Sequence, residues 1–227
     1  MAPVLVVFGC GPGIGIATAR LFAQKHFSKI VLLARSAQRL EQEKRQVEEA
    51  AQEIGREVGV TALPTDLANF DHLRASLQAI EKLGEISTVF FNAARIKPSD
   101  VLTTTVEEIE EDYRVSTLAL YITAQWALPK LLEASRPRPS FIVTSSHLPE
   151  QPLPFLLSLS ATKASQQNVV HALKIAFGER IHIGCVKIAG SVSVQEKNLN
   201  PNNIAKEIVQ FYEREEEQWG ADLVLEP

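Results

Sequence analysis

The stretch that decides the fold is VLVVFGCGPGIG, residues 4–15. Its first five residues are apolar without polar alternation, as expected for a parallel strand buried on both faces. Glycines follow at positions 9, 11, 13 and 15, and a helical pattern continues from Ile16. Glycine allows positive φ and close approach of a ligand, and the free amides of a helix N-terminus attract an anion. The strand–turn–helix context predicts a nucleotide-binding turn, with a plain glycine-rich connection as the alternative.

Length and composition are those of an ordinary globular domain. The chain has 227 residues, of which 45% are hydrophobic, and a net charge of −4, so one domain with a substantial core is expected. The charge gives no indication of nucleic-acid or membrane partners, and no apolar run reaches the ~18 residues of a membrane span. We expect a cytoplasmic protein without signal peptide or metal site, with Cys10 and Cys185 reduced.

Hydrophobic periodicity beyond the first turn predicts strands and helices in alternation. Further strands are expected at 30–34, 60–63, 87–91, 140–145, 181–188 and 222–225. Helices are expected up to about residue 26 and over 37–58, 69–83, 106–134, 158–178 and 201–218. This order predicts a single α/β domain with a doubly wound, seven-stranded parallel sheet. Ligands of such sheets lie at the carboxyl ends of the strands, which here are Gly9, Arg35, Asp66, Asn92, Ser146 and Ala189.

These strand ends resemble the motifs of the short-chain dehydrogenase/reductase family, over nearly the whole chain. Ser146 in IVTSS matches the family's catalytic serine, and Lys163 in SATKA matches its active-site lysine. Residues 66–67 match the acidic motif after the third strand, residues 92–94 the Asn-Asn-Ala-Gly motif, and residues 189–190 the Pro-Gly motif. The resemblance implies a nicotinamide-dependent oxidoreductase. It places cofactor binding at Gly9, Gly11, Pro12, Gly13, Ile14, Gly15, Arg35, Ser36, Asp66, Leu67, Asn92, Ala93, Ala94, Lys163, Ala189, Gly190 and Val192.

The sequence departs from the family at Leu159, which stands where the catalytic tyrosine is expected, four residues before Lys163 and thirteen after Ser146. In the family this tyrosine is the general acid/base, the lysine lowers its pKa, and the serine holds the substrate carbonyl. A positioned acid contributes roughly 10²–10⁴-fold in rate. Because the nicotinamide supplies the hydride, the leucine weakens an oxidoreductase function without excluding it. An iminium substrate, whose reduction needs no proton donor, would tolerate the leucine best.

Other polar side chains near the expected site have ordinary structural alternatives. Ser116 stands at the family's helix asparagine, which alters the implied proton relay. His147 is either a proton donor at neutral pH or a solvated loop residue. Tyr113 and Tyr121 are expected to pack or to face a partner. Lys163 is expected to bind the nicotinamide ribose, with an ordinary surface lysine as the alternative.

The end of the second strand indicates the cofactor. NAD sites carry a carboxylate there that accepts from the ribose 2′-hydroxyl, and the sequence Ala34-Arg35-Ser36 has none. The planar guanidinium of Arg35 can pair with a 2′-phosphate, with Ser36 and Arg39 nearby. The alternative is that Arg35 only opens a solvated helix. We therefore expect NADP(H).

Two segments indicate the size and polarity of the substrate that the site would accept. Only residues 191–200 separate Gly190 from Pro201, where the family usually carries a longer substrate lid. A nearly absent lid predicts an open site for a large or carrier-bound substrate, or for none. The apolar, proline-rich segment 148–157 is either the lining of a lipophilic pocket, a buried loop or a subunit contact.

The sequence therefore predicts a Rossmann-type domain that reduces a small apolar carbonyl or imine compound. A nucleotide-binding pseudoenzyme that acts through protein contacts is the alternative, as is a fold recruited to non-redox chemistry. The resemblance further implies a homodimer or homotetramer built on the helices 106–134 and 158–178, without nucleic-acid or membrane partners.

Overall fold

A computed structural model of the protein describes residues 2–135 and 138–227. Its strands are β1 (Pro3–Phe8), β2 (Lys29–Ala34), β3 (Gly59–Pro64), β4 (Glu85–Phe91), β5 (Ser140–Ser146), β6 (His182–Ile188) and β7 (Leu223–Leu225). Its α-helices are α1 (Ile14–Lys25), α2 (Ala37–Gln52), α3 (Phe70–Ile80), α4 (Val106–Tyr113), α5 (Ala119–Glu133), α6 (Leu157–Phe177) and α7 (Pro201–Tyr212). A π-helical segment, Arg114–Leu118, joins α4 to α5, and a short 3₁₀ turn covers Glu216–Gln218.

The seven strands form one parallel sheet in the order β3-β2-β1-β4-β5-β6-β7. This confirms the predicted doubly wound α/β domain. The direction of winding reverses between β1 and β4, and such a switch point opens a crevice at the carboxyl ends of the strands. The fold therefore provides a binding crevice beside the glycine-rich turn.

Helices cover both faces of the sheet, which explains the uninterrupted apolar run in β1. Val4, Val6 and Phe8 join the core under α3, α5 and α6, whereas Leu5 and Val7 join the core under α1, α2 and α7. Successive side chains of a strand point to opposite faces, so a strand covered on both sides needs apolar residues throughout. Burying each large apolar side chain contributes about 1.5–3 kcal/mol to folding.

The predicted strands agree with the structure to within two residues at each end, but three predicted helices need correction. Helix α2 ends at Gln52 instead of residue 58, because Gly55 adopts a φ of +75°. The backbone amide of Arg56 then donates to the carbonyl oxygen of Ala51 (3.0 Å), as in the glycine termini common at helix ends. The residues after Gln52 are charged like those of the helix, so their composition predicts a longer helix than the backbone forms.

Helix α7 ends at Tyr212 instead of residue 218. The chain turns back so that the Trp219 ring stacks on the buried His182 ring, with centroids 5.4 Å apart. The indole nitrogen of Trp219 donates to the carbonyl oxygen of Arg214 (3.0 Å). The third correction, the π-helical interruption of the predicted helix 106–134, belongs to the functional site. Within the described ranges, no helix is both long and apolar enough to cross a membrane.

Candidate functional site

A cavity of about 1210 Å³ opens at the carboxyl ends of the central strands. It exceeds the roughly 300–1,000 Å³ of ordinary ligand pockets, which leaves room for an extended ligand beside a small one. Among the residues lining it are these predicted site residues: Gly9, Gly11, Pro12, Gly13, Ile14, Arg35, Ser36, Asp66, Leu67, Asn92, Ala93, Ala94, Ser146, Leu159, Lys163, Gly190 and Val192. The cavity lining does not include Gly15, Ser116 or Ala189.

The glycine-rich turn forms one wall of this cavity. Gly9 has a φ of +76°, and a Cβ there would lie 2.6 Å from the backbone of Ala93, so only glycine fits. A Cβ built at Gly11 or Gly13 would meet no atom of a described residue within 4 Å. The turn is therefore tight on the side of the sheet and open on the side of the cavity.

Helix α1 begins at this turn without a side-chain cap and without an acidic residue in its first turn. The first amides of a helix lack intrahelical partners, and the helix dipole adds a partial positive charge. An anion such as a pyrophosphate would meet both in the space beside Gly13.

The ends of β2 and β3 carry the predicted cofactor-selecting residues. Ser36 caps α2 through its hydroxyl oxygen, which accepts from the backbone amide of Arg39 (3.3 Å). Arg35 and Arg39 line the cavity, and neither forms an ion pair among the described residues. Asp66 is held by an Asx turn, in which its Oδ1 accepts from the amide of Ala68 (3.0 Å). Two guanidinium groups are thus available to a phosphate at this end.

A buried carboxyl lies behind this end of the cavity, and sequence analysis did not identify it. Burial raises the pKa of Glu43 on α2, despite the opposing effects of the Cys10 thiol and the Arg39 charge. Burial also raises the pKa of Cys10, which keeps this thiol protonated. The raised pKa favours the protonated form of Glu43, which repels a bound phosphate less than the carboxylate does.

The other end of the cavity combines Ser146, Leu159 and Lys163. Ser146 closes β5, and its Oγ accepts from the backbone amide of Leu148 (3.2 Å). Leu159 and Lys163 lie one turn apart on α6, so both side chains reach the same wall. Leu159 is buried, and it offers no proton at the position where the resemblance predicts a tyrosine.

Lys163 is almost completely buried, and its Nζ makes two hydrogen bonds to uncharged acceptors. It donates to the carbonyl oxygen of Thr144 (2.7 Å) and to Oε1 of Gln166 (2.8 Å). Burial lowers the pKa of Lys163 to about 8, because a charge is poorly solvated in the protein interior. Gln166 is itself fully buried, and its Nε2 donates to the carbonyl oxygen of Ser116 (2.9 Å).

Ser116 lies in the π-helical segment that interrupts the predicted continuous helix 106–134. The backbone amide of Ala119 donates to the carbonyl oxygen of Arg114, five residues earlier, which is the wider π pattern. The backbone carbonyl of Ser116 is therefore connected to Lys163 by the side-chain amide of Gln166. The hydroxyl of Ser116 is buried and has no hydrogen-bond partner within the described part of the chain. Periodicity cannot predict one extra residue in a helical turn.

The alternative proton donors occupy different places. His147 lines the cavity, and its Nδ1 is buried with no hydrogen-bond partner among the described residues. Tyr113 and Tyr121 do not line the cavity. Tyr121 is 47% exposed, and its hydroxyl accepts from Nε2 of Gln125 (3.1 Å). Of the three, only His147 is placed beside the candidate reaction centre.

The segment 148–157 supplies an apolar lining on the substrate side. Its Leu148, Leu153, Phe155 and Leu156 line the cavity, and Phe155 at the mouth is 62% exposed. Between β6 and α7 the chain forms neither helix nor strand. In the described ranges no group of acidic, histidine or cysteine side chains could hold a metal ion. The cavity is thus polar at the glycine turn and the β2 end, and apolar beyond Ser146.

Fold and cavity together define a nucleotide-binding α/β protein of the Rossmann type. The family model for short chain dehydrogenases matches residues 3–203. The chain therefore belongs to the short-chain dehydrogenase family, as the sequence motifs indicate.

Curated relatives are distant. Human 17-beta-hydroxysteroid dehydrogenase 13 is 30% identical over 163 residues, which are 70% of this chain and 51% of that protein. An uncharacterized oxidoreductase of Staphylococcus aureus USA300 is 25% identical over 92% of this chain and 81% of its own length. The chain thus spans about half the length of the human relative and most of the bacterial one.

Solved structures share the fold at lower identity. An alcohol dehydrogenase from the archaeon Thermococcus sibiricus, complexed with 5-hydroxy-NADP, has a TM-score of 0.84 at 22% identity, with 98% of this chain and 95% of that one covered. An NADPH-bound short chain oxidoreductase from Pseudomonas aeruginosa PAO1, containing an atypical catalytic center, also has a TM-score of 0.84 at 22% identity. That alignment covers 97% of this chain and 94% of the other.

Proposed function

We propose that the protein is an NADP(H)-dependent oxidoreductase that reduces a small apolar carbonyl or imine compound. The observation that carries the proposal is one continuous cavity, which runs from the glycine turn and Arg35 to Ser146 and Lys163. A dinucleotide and a small substrate need such a cavity, because hydride transfer requires the two to be in contact.

The residues of the cavity fit the cofactor. The α1 N-terminus suits the pyrophosphate, and Arg35 with Ser36 suits a 2′-phosphate. Asp66 and Leu67 would hold the adenine, and the one N–H of Lys163 left after its bonds to Thr144 and Gln166 would face the nicotinamide end, toward the ribose hydroxyls or the substrate. Structures with the same fold, from Thermococcus sibiricus and Pseudomonas aeruginosa, were crystallised with 5-hydroxy-NADP and NADPH. The bound cofactor would supply or accept the hydride.

The substrate end supports a carbonyl or imine compound with little polarity. The Ser146 hydroxyl can donate one hydrogen bond to a substrate oxygen or nitrogen while its own oxygen accepts from Leu148. The leucines of segment 148–157 and Leu159 surround that point with apolar surface. Charged or strongly hydrated substrates would lose their solvation there.

NADPH titration and turnover test this proposal directly. We expect NADPH to bind more tightly than NADH, and a panel of ketones, quinones and imines to contain at least one compound that oxidises it. The catalytic end is probed by Ser146→Ala, which removes one hydrogen-bond donor and should lower turnover more than it weakens NADPH binding. Binding of NADPH without turnover of any compound would contradict the oxidoreductase proposal.

Leu159 favours a second candidate function. A protein that binds NADP(H) without reducing a substrate would not need a proton donor, and a leucine at position 159 is compatible with such a pseudoenzyme. Its ligand would then regulate contacts with other proteins. Tight NADPH binding with complete absence of hydride transfer is the result that this candidate predicts.

We also propose a homodimer or homotetramer through α5 and α6. Of the apolar residues on these helices and the π-helical segment, Leu120, Leu128 and Val170 are buried, but Leu118 and Tyr121 are exposed. These exposed apolar groups, on the π-helical segment and α5, suit a self-complementary interface. Light scattering at micromolar concentration should give a multiple of the 25.1 kDa chain mass, and the mass of one chain would contradict this assembly.

A further inference from the structure

The Lys163 ammonium group retains one hydrogen-bond donor that no described residue accepts. A protonated lysine has three N–H bonds, and two of them point to Thr144 and Gln166. Lys163 lines the cavity beside Leu159 and Ser146. The third N–H is therefore available to a molecule bound at the apolar end of the cavity.

Within residues 2–135 and 138–227, no carboxylate forms an ion pair with this ammonium group. Both of its acceptors are neutral, and Asp112 on the adjacent α4 instead accepts from Arg95 (2.7 Å) and from the hydroxyl of Ser158. Cys185 on β6 is a neutral thiol at physiological pH, because burial raises its pKa to about 12. His147 is the remaining titratable side chain of the candidate reaction centre.

Burial without a counter-charge brings the pKa of Lys163 to about 8. Proton transfer is most efficient when the pKa of the donor lies near the working pH. An ordinary surface lysine, with a pKa of about 10.4, holds its proton too firmly for this role. The environment of Lys163 thus gives it the acidity of a proton donor, in addition to a free N–H.

Gln166 fixes the position of this group. It follows Lys163 by three residues on α6, and such spacing places both side chains on one face. Its amide connects Nζ of Lys163 with the carbonyl oxygen of Ser116 in the π-helical segment. A glutamate of the same shape would add a negative charge and raise the pKa of the lysine. The neutral amide orients the ammonium group without this effect.

We propose that Lys163 donates the proton that a hydroxyl at position 159 would otherwise supply, and that Gln166 is its positioning residue. The inference rests on the proposed reductase function. As the carbonyl carbon of the substrate accepts the hydride of NADPH, the carbonyl oxygen takes a proton from Lys163. The substrate is reduced to an alcohol, NADPH is oxidised to NADP⁺, and Lys163 is left as a neutral amine that regains a proton from solvent.

Two substrates separate proton donation from cofactor binding. An activated ketone needs a proton on its oxygen, whereas an N-alkyl cyclic iminium becomes a neutral amine on hydride transfer alone. At saturating NADPH, Lys163→Met should lower kcat for the ketone by at least roughly 10²-fold more than kcat for the iminium. Equal losses on both substrates would overturn the inference and leave Lys163 with a role in cofactor binding only.

The pH profile tests Gln166. We expect ketone turnover by the wild type to fall above about pH 8 as Lys163 loses its proton. Gln166→Glu should move this basic limb to higher pH, and Gln166→Met should lower kcat for the ketone more than for the iminium. A basic limb that stays in place in Gln166→Glu, while NADPH affinity is retained, would overturn the assignment of Gln166.

Two further outcomes complete the test. His147→Gln should change the ratio of ketone to iminium turnover by no more than a few-fold, and a change as large as that of Lys163→Met would assign the proton to His147 instead. A wild type that binds NADPH but reduces neither substrate contradicts the proposed function itself, and the inference falls with it. Reduction of both substrates with equal losses in Lys163→Met overturns the inference alone.

Discussion

The side-chain amide of Asn92 donates a hydrogen bond of 3.0 Å to the carbonyl oxygen of Gly9. These residues follow β4 and β1, the two neighbouring strands between which the winding of the sheet reverses. The backbone amide of Asn92 donates in addition to the carbonyl oxygen of Phe8 (2.8 Å). Asn92 thus ties the glycine turn to the end of the adjacent strand at the switch point of the sheet.

Two glycines of this turn should respond differently to alanine. Gly9→Ala forces a Cβ to within 2.6 Å of Ala93 at a positive φ, and we expect a loss of at least about 2 kcal/mol in unfolding free energy. Gly11→Ala meets no protein atom within 4 Å, so stability should change little while NADPH affinity falls. Urea denaturation and NADPH titration of both variants measure the two effects. Unchanged NADPH affinity in a folded Gly11→Ala would contradict the phosphate site.

Arg35 should determine the preference for NADPH. Hydrogen bonds to a charged group contribute about 1.5–3 kcal/mol, which corresponds to roughly 10–100-fold in affinity. Arg35→Ala should lose this factor for NADPH and leave NADH binding nearly unchanged. Arg45→Ala, which removes an exposed arginine on α2 outside the cavity lining, is the matched control. Equal losses of NADPH affinity in both variants would show a general effect of positive charge and not recognition of the 2′-phosphate by Arg35.

Leu159→Tyr should increase turnover of an activated ketone, because it adds a phenol beside the Lys163 ammonium, which lowers the pKa of a phenol. The gain could approach roughly 10²-fold, the lower range for a positioned acid. Leu159→Phe adds a ring without a hydroxyl and controls for altered packing. If Leu159→Tyr gives no more turnover than Leu159→Phe while both bind NADPH, the pocket does not hold a phenol in the geometry of the family.

The lowered pKa of Lys163 has a consequence for stability that does not depend on catalysis. Between about pH 8 and pH 10.5 the unfolded chain binds a proton at this lysine that the folded protein does not. Stability from this group therefore rises with pH over that window, by a total on the order of 3 kcal/mol. Urea denaturation at both ends of the window should show the wild type gaining stability relative to Lys163→Met.

The exposed Lys82 provides the control for this measurement, because Lys82→Met removes a charge without opening the core. A pH dependence of the Lys163→Met variant that parallels the wild type would contradict the buried, proton-releasing lysine. The experiment also tests the physical basis of the proton-donor proposal in the absence of any substrate.

The fold and the position of the cavity were predictable from sequence because both depend on local patterns. The apolar run of β1 and the glycines after it predict a buried strand and a tight turn, and the strand ends of a parallel sheet necessarily meet at one edge. Residues as distant in sequence as Gly9 and Asn92 could therefore be assigned to one site without a structure.

The hydrogen bonds that connect Lys163 with Gln166 and Ser116 were not predictable, because they depend on contacts between segments that are distant in sequence. Gln166 and Ser116 are separated by 50 residues, and the π-helical segment that presents the Ser116 carbonyl leaves no trace in hydrophobic periodicity. The burial of Glu43 behind the turn was likewise hidden, since the charged pattern of α2 predicts a solvated face. Such features arise from packing and not from a motif.

The central claim is that hydride transfer occurs in this cavity although Leu159 cannot donate a proton. NADPH carrying two deuterium atoms at C4 of the nicotinamide, incubated with the protein and the N-alkyl cyclic iminium, tests it most directly. We predict one deuterium atom on the former iminium carbon of the product, detected by mass spectrometry, and no transfer without protein. NADPH that binds tightly but transfers no deuterium to any acceptor in the panel would contradict the account and favour the pseudoenzyme.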